Sequence, residues 1–413
     1  MSPANAAKST LGDAETIVLT AAVMALGALS IDIMLPALGE IGRELGAASA
    51  NDAQSVVYAF TIGYGVSQLI FGPLTDRFGR RRILVIALAC YAGAAAISAF
   101  SSSFALLLAA RALQGALTAA TRVAIMASVR DRFEGARMAE VASAATTVFM
   151  AAPILAPAIG QAILLAGEWR SIFIFLSIYG AALCAWIYFR MGETLKREAR
   201  RSLSFRSAFS AYAAFSRNRQ SAGYTLAVMV LWGAFFAYLG AAQQIYVGEF
   251  GIGALFPLAF AAGAAPYGAA ALLNAFIVRR TGIRRLLHGG VCAIIAFNAL
   301  HLLIATQTGQ SLSLFTMTLC ATLFALGFVG ANATALALEP MGALAGAASA
   351  ANGFAATTGA ALIGMAIGRM FNGATTLISE AFLAMGAASL AVIFWTERGK
   401  LFLAEPAVAT EVK

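Results

Sequence analysis

Two arginines and one carboxylate stand where charge is costly. Asp32 lies in SIDIMLPALGE, late in a first long apolar run and four residues before Pro36, while Arg111 and Arg122 lie within a fourth run. An ionisable side chain inside a membrane is unfavourable by a few kcal/mol at least, so each is a functional candidate by default. At about 1.5 Å per residue, Asp32 is roughly 24 Å from the start of its run and Arg111 about 10 Å from the start of its own, which runs the opposite way. In a hydrocarbon core of roughly 30 Å their depths agree to within about one turn. They are placed to pair directly or through a shared water. A conformational change that alters their separation would alter the proton affinity of the carboxyl, so Asp32 is expected to take up a proton on one side of a membrane and release it on the other. A static buried ion pair that merely neutralises two charges is the alternative.

Arg122 follows Arg111 by three helical turns, and Gln114, Thr118 and Thr121 fall on or near the same stripe. One face of the fourth run is therefore polar, and it either borders a water-filled path or lets Arg122 snorkel to the surface. Late in a seventh run, Gln243 and Gln244 accompany Tyr238 and Tyr246, and with Gln54, Tyr58 and Gln68 of the second they are candidates for a substrate cavity. An interfacial belt of amides and aromatics is the other reading. His301 reads as a satisfied helix contact, and Glu339 as a cap of the eleventh run or a partner for basic loops.

A second cluster is GPLTDRFGRRRIL at 72–84, between the second and third runs. Gly72 and Gly79 permit close approach or a tight turn. Asp76 is free to pair with arginines on a neighbouring helix end, for which Arg130 and Arg132 are candidates, while Arg77, Arg80 and Arg81 supply positive charge. A contact made in one conformation and broken in another is a gate; a turn whose arginines only fix topology is the alternative. In APILAPAIG, Pro153, Pro157 and Gly160 are expected to bend the fifth run. Gly346, Ala350, Ala360, Gly364 and Gly368 give the eleventh the spacing of a close helix contact.

These residues need an apolar scaffold, and the composition supplies one. Of 413 residues, 61% are apolar and 11% charged, proportions that place the chain in a membrane rather than in water. Twelve runs are long enough to cross: 16–38, 54–74, 83–101, 104–127, 139–165, 170–190, 221–246, 254–278, 286–306, 311–336, 342–367 and 374–396. The first contains Asp32 and no A-x-A site follows it, so it reads as a span and not a cleaved signal. Arginine and lysine gather at 77–82, 130–137, 190–219 and 279–285, against only Arg43, Arg170 and Arg369 in the alternate loops. The bias puts the basic loops and both termini in the cytoplasm, so the net charge of +9 reflects topology and not nucleic acid. A polar, basic stretch at 193–220 divides the chain into a bundle at 1–192 and a bundle at 221–413. LLNAFIVRRTGIRRLL at 272–287 echoes the 72–84 loop without its aspartate. Cys90, Cys184, Cys292 and Cys320 all fall in apolar runs and read as packing residues. No H-E-x-x-H or P-loop is present, and neither an enzyme, a metal nor a bound cofactor is expected.

Two six-span halves with such a loop are the arrangement of major facilitator transporters. SIDIMLPALGEI, QLIFGPLTDRFGRRRIL, RALQG, VRDRF, APILAPAIG, EWRSIF, ETL, AQQIYV, ALEPMG and AGAASAANGF together resemble the bicyclomycin-resistance (Bcr/CflA) branch of the drug:proton antiporters over nearly the whole chain. The resemblance implies an all-α membrane protein of twelve transmembrane helices in two pseudo-symmetric six-helix bundles. It also implies export of hydrophobic, antibiotic-like compounds in exchange for protons across the bacterial inner membrane, with Asp32 and Arg111 in the coupling centre. A proton gradient would be the driving force, with a small molecule, protons and the lipid bilayer as partners, and a monomer as the working unit. An uptake symporter for a small metabolite is the alternative. Gln161, at the place of a usual second glycine, and Met126, where relatives often have arginine, depart from the pattern and bear on substrate range.

Overall fold

A computed structural model describes residues 11–196, 198, 200 and 205–402. With no water in a bilayer core, backbone polar groups must be satisfied within each segment, and the apolar runs fold as helices. The first half comprises α1 (Asp13–Asp32), α2 (Leu38–Glu44), α3 (Ser55–Phe78), α4 (Arg80–Ala99), α5 (Phe104–Arg132), α6 (Gly135–Ala166) and α7 (Arg170–Arg190). An amphipathic helix, α8 (Phe205–Arg217), lies in the basic stretch between the halves. The second half comprises α9 (Arg219–Gln243), α10 (Phe256–Thr281), α11 (Ile283–Thr308), α12 (Leu312–Gly327), α13 (Gly330–Leu338), α14 (Ala345–Arg369) and α15 (Thr376–Thr396). Twelve segments of the described residues are long and apolar enough to cross a membrane, matching the twelve expected.

The observed helices overrun the apolar windows. α5 continues to Arg132, not 127, because its last turn carries Arg130 and Arg132, cations that complement the carbonyl end of the helix dipole. Side-chain caps by Ser103, Asn218 and Ser311 set the starts of α5, α9 and α12. Two spans are broken, which apolar patterning does not reveal. The first stops at Asp32 and resumes through a 3-10 turn at Leu35–Ala37, and the tenth breaks between Gly327 and Gly330. The seventh ends in a π turn, Gln244–Glu249, a feature often found at functional sites.

Within the first half, α3 and α5 cross at backbone contact. A Cβ on Gly63 would lie 2.0 Å from the Ala112 carbonyl oxygen, and one on Gly115 would lie 1.9 Å from that of Phe60. The halves meet chiefly through α3 against α14 and α6 against α10. Of the small residues of the eleventh span, Gly364 packs on Phe236 and Gly368 on Gln54, whereas Gly346 is exposed and a Cβ there would meet no heavy atom within 4 Å. Both halves turn at the same face in the same way, with Gly79 at φ 96°, ψ 152° and Gly282 at φ 89°, ψ 144°. That arginine-rich face and the opposite, far face give the bundle its axis.

Candidate functional site

The break in the first span builds the centre of the first half. A helix that ends at Asp32 leaves carbonyls of its last turn without backbone donors, and Arg111 of α5 supplies one: its Nη2 donates to the Ser30 carbonyl at 2.7 Å. Nη1 donates to Gln114 Oε1 at 3.0 Å, and Nε to the Val56 carbonyl at 3.3 Å. The Phe60 and Phe173 rings flank the guanidinium, 4.6 and 5.8 Å from their centroids. Ser30 Oγ and Tyr91 Oη are 2.5 Å apart, and Ser98 donates to Gln114 Oε1. Arg111 is fully buried, and its charge is met by neutral acceptors, ring faces and the negative end of a half-helix.

The expected direct pair with Asp32 is not made. Among the described residues no ion pair or hydrogen bond engages that carboxyl, which is 5% exposed and within electrostatic reach of Tyr238 on α9. The reason lies in the helix end: Ser30 presents an orphan carbonyl to Arg111 two residues before the carboxylate. Gly160 makes the junction possible, since a Cβ there would fall 1.9 Å from the Ile33 carbonyl oxygen. In this structure α6 runs as one helix through Pro153 and Pro157, and the part Gly160 plays is close approach to the broken span.

The loop cluster closes differently from the expectation. Asp76 does not reach Arg130 or Arg132; Arg80 intercepts it. Arg80 Nη1 is 2.5 Å from Asp76 Oδ1 one turn earlier, its Nε is 3.1 Å from Asp131 Oδ2 at the end of α5, and its backbone N–H donates to Glu193 at 2.8 Å. Arg132 turns to Asp13 and the Leu11 carbonyl. Arg130 is exposed and enters no ion pair among the described residues. Arg81 donates to the Tyr188 carbonyl at 2.6 Å and lies over its ring, and Arg77 lies over Phe78. Gly79 earns its glycine twice, by its positive φ and because a Cβ would sit 2.3 Å from Glu193 Oε2. Gly72 lies inside α3 with no heavy atom within 4 Å of a Cβ, so neither turn nor close contact requires it in this state.

The second half repeats the plan with other residues. Arg284 Nε is 2.9 Å from Glu397 Oε1 and its Nη2 is 3.7 Å from Glu339 Oε2, to which Gln220 also donates at 2.6 Å. Glu339 thus meets the basic loop. Burial raises the Glu397 carboxyl, but hydrogen bonds from Tyr224 and Arg284 outweigh it and hold the group below the usual carboxylate range.

Of the residues expected to line a cavity, four close one end of it: Gln54, Tyr58, Gln243 and Gln244. Tyr58 donates towards the Gly364 carbonyl at 3.0 Å and the Phe236 carbonyl at 3.3 Å, Gln54 towards that of Gly368 at 3.5 Å, and Gln244 to that of Ala50 at 2.7 Å. Gln243 packs on Gly39, and Asn51 donates to the Phe371 carbonyl at 2.7 Å. All lie toward the far face and join the halves. Gln114 and Thr118 are buried inside the first half, and Tyr238 is buried in the second, stacked on Phe260. Gln68 meets Thr357 at 3.5 Å. Arg122 alone of the set is exposed, its Nη1 donating to Tyr64 Oη at 2.8 Å. On the arginine-rich face, every ion pair among the described residues stays within one half.

Comparison with known proteins fits this architecture. The description Major Facilitator Superfamily matches residues 20–365. The chain belongs to the Major Facilitator Superfamily. It is 33% identical over 331 residues to an uncharacterised MFS-type transporter, YdgK, of Bacillus subtilis, covering 79% of this chain and 81% of that one. It is 31% identical to a bicyclomycin resistance protein homolog of Haemophilus influenzae, covering 56% of this chain and 59% of the relative. A D-xylose-proton symporter shares the fold, with a TM-score of 0.73 at 15% identity over 93% of this chain and 98% of the other.

In this facilitator, several site residues escaped sequence reasoning. Asp131, Glu193 and Glu397 carry the two ionic networks. Their signal was present, since each is an acid in a stretch otherwise rich in arginine. Ser30 and Tyr64 gave none; a backbone carbonyl and an unremarked tyrosine matter only once neighbouring helices are placed.

Proposed function

We propose that the protein exports small amphipathic or antibiotic-like compounds across the bacterial inner membrane in exchange for protons, by alternating access. The carrying observation is the broken first span: Asp32 ends a half-helix with its carboxyl in no ion pair or hydrogen bond among the described residues, within electrostatic reach of Tyr238 of the opposite half. Discontinuous helices at the interface between repeats are where transporters of this type place coupling ions. An ionised Asp32 faces the negative end of its own half-helix, whereas a protonated one does not, so charge and helix geometry are linked. The arginine-rich face is assigned to the cytoplasm by the positive-inside rule, with both termini on that side. With the far face joined by hydrogen bonds between halves and the ionic networks of the other face confined within halves, the conformation reads as inward-facing. A proton gradient is the energy source, and a monomer holds the complete path between residues 1–192 and 221–413.

The names of relatives, a bicyclomycin resistance protein homolog and multidrug resistance proteins among them, favour export. The uptake reading draws on the symporter that shares the fold, since fold alone does not set direction. Accumulation of a radiolabelled antibiotic in cells separates the two. Export predicts less label when the protein is expressed and a rise after a protonophore; a symporter gives the reverse.

A further inference from the structure

The last helix, α15, ends through a residue that helix termination disfavours. The Gly399 N–H donates to the Phe394 carbonyl at 2.9 Å and the Arg398 N–H to the Trp395 carbonyl at 3.2 Å, the paired bonds that close a helix through one left-handed residue. That residue is Arg398, at φ 54°, a conformation in which a Cβ is strained and glycine is usual. Closing the helix does not account for an arginine here.

Arg398 borders an open pocket of about 430 Å³ on the arginine-rich face, between the start of α9 and the end of α15. Arg219 and Lys400 line it too, so three cations of the described residues converge on one hollow. Arg219 is anchored: its Nη2 donates to the Thr396 carbonyl at 2.8 Å, and its guanidinium lies 5.8 Å from the Trp395 ring centroid. Arg398 and Lys400 are exposed, and neither side chain enters a hydrogen bond or ion pair among the described residues. The carboxylate in the pocket wall, Glu397, is engaged by Arg284 and Tyr224. The charge left facing the pocket is positive.

The pocket also has a fixed relation to the bilayer. Ala384, Ala387, Ala391, Phe394 and Trp395 are exposed along α15 at the three- and four-residue spacing of a single helix face. An apolar stripe on the outside of a membrane bundle faces lipid, and its aromatic end, with Phe394 53% and Trp395 58% exposed, marks the level of the headgroups. Arg219, lying over Trp395, joins that stripe to the pocket. A lipid whose acyl chain follows the stripe brings its phosphodiester to the three cations, and paired phosphate oxygens match a guanidinium fork.

We propose that Arg219, Arg398 and Lys400 bind the headgroup of an anionic phospholipid, with Phe394 and Trp395 seating the upper part of its acyl chains. Arg219 is the preformed arm, and Arg398 and Lys400 close on the phosphate. The site lies at one end of the second half and does not depend on the transport reading.

Native mass spectrometry of the purified full-length protein in neutral detergent measures the affinity of the first lipid bound, with phosphatidylglycerol and phosphatidylcholine of equal chain length as probes. Phosphatidylglycerol should bind about tenfold more tightly. Arg398→Gly and Lys400→Gln should each weaken it about fivefold and leave phosphatidylcholine unchanged. Arg280→Gln, which removes an exposed charge of the same face outside the pocket, should have no effect. Arg398→Gly also separates binding from folding: without lipid it should melt at or above wild type, because the φ suits glycine. Lipids that bind alike, or a preference retained by both Arg398→Gly and Lys400→Gln, overturn the proposal. Equal weakening by Arg280→Gln would mean a general attraction to the basic face and overturns it too. Displacement of phosphatidylglycerol by inorganic phosphate, but not by chloride at equal ionic strength, would assign the pocket to a soluble anion and overturn the lipid site. A lipid-free Arg398→Gly that melts several degrees below wild type would make the arginine a structural residue, with the same result.

Discussion

Arg111 donates to the carbonyl of Ser30 at 2.7 Å and not to the carboxyl of Asp32, two residues further on, which enters no ion pair among the described residues. The arginine thus acts as a cap on the half-helix that Asp32 terminates. The two charged residues meet at that helix end and not through a salt bridge.

A structural and a coupling role separate accordingly. Arg111→Ala leaves the Ser30 carbonyl without its side-chain donor and Gln114 Oε1 with Ser98 alone, at about 1–3 kcal/mol for a buried group left unpaired, and the purified protein should melt several degrees lower. Asp32→Asn removes no observed contact and should melt within a degree or two of wild type while losing proton-driven transport. Thermal denaturation of both variants in detergent checks this; equal losses would mean that the two residues form a structural pair after all.

The junction depends on Gly160. Gly160→Ala puts a methyl group 1.9 Å from the Ile33 carbonyl oxygen, an overpacking that typically disfavours a fold by about 1–3 kcal/mol. Gly72→Ala meets nothing within 4 Å and should leave the melting temperature unchanged or slightly raised, because alanine is the better helix former. The comparison of the two melting temperatures is the measurement. A destabilised Gly72→Ala together with a tolerated Gly160→Ala would reverse the assignment of which glycine is under contact.

Glu397 gives a pH dependence with a definite sign. Its carboxyl is held below the usual range in the folded protein, so its contribution is present above the unfolded value of about 4.3 and fades as the pH falls through the lower, folded value. Near neutral pH, Glu397→Gln should reduce stability by about 1.5–3 kcal/mol, the range for a hydrogen bond to a charged group. Melting curves of wild type and variant should converge toward strongly acidic pH. A constant gap across the series would rule out the carboxylate as its source.

The far-face seal is a set of hydrogen bonds from one half to carbonyls of the other. Tyr58→Phe removes the donor to Gly364 and Phe236, and at about 0.5–1.5 kcal/mol per bond the population open at that face should rise about two- to tenfold. Spin labels at Ser49→Cys and Asn372→Cys, both exposed on that side, report the distance distribution. No growth of a longer distance in Tyr58→Phe would show that the seal rests on apolar packing instead.

What the sequence makes legible is whatever depends on local pattern. Apolar length marks the twelve spans, arginine placement marks the two faces, and the isolated charges Asp32, Arg111 and Arg122 mark where to look. Contacts decided by partner geometry are not legible. The apolar pattern does not show that the first span breaks at Asp32, since Ile33, Met34 and Leu35 continue the run; the local signal is Pro36, which has no N–H to donate to the Asp32 carbonyl four residues back. Nothing local says that Arg80, not Arg130 or Arg132, takes Asp76; that follows from the turn at Gly79. Gln54 and Tyr58 are polar for a reason the sequence suggests but misplaces: they satisfy carbonyls across the seam, and do not line an open wall.

The central claim is that Asp32 carries the proton exchanged for cargo. It is tested most directly by the protons released when a transported compound is added to purified protein in weak buffer. Wild type should release protons on binding, and Asp32→Asn should bind the compound and release none. Equal release by the two proteins would contradict the account.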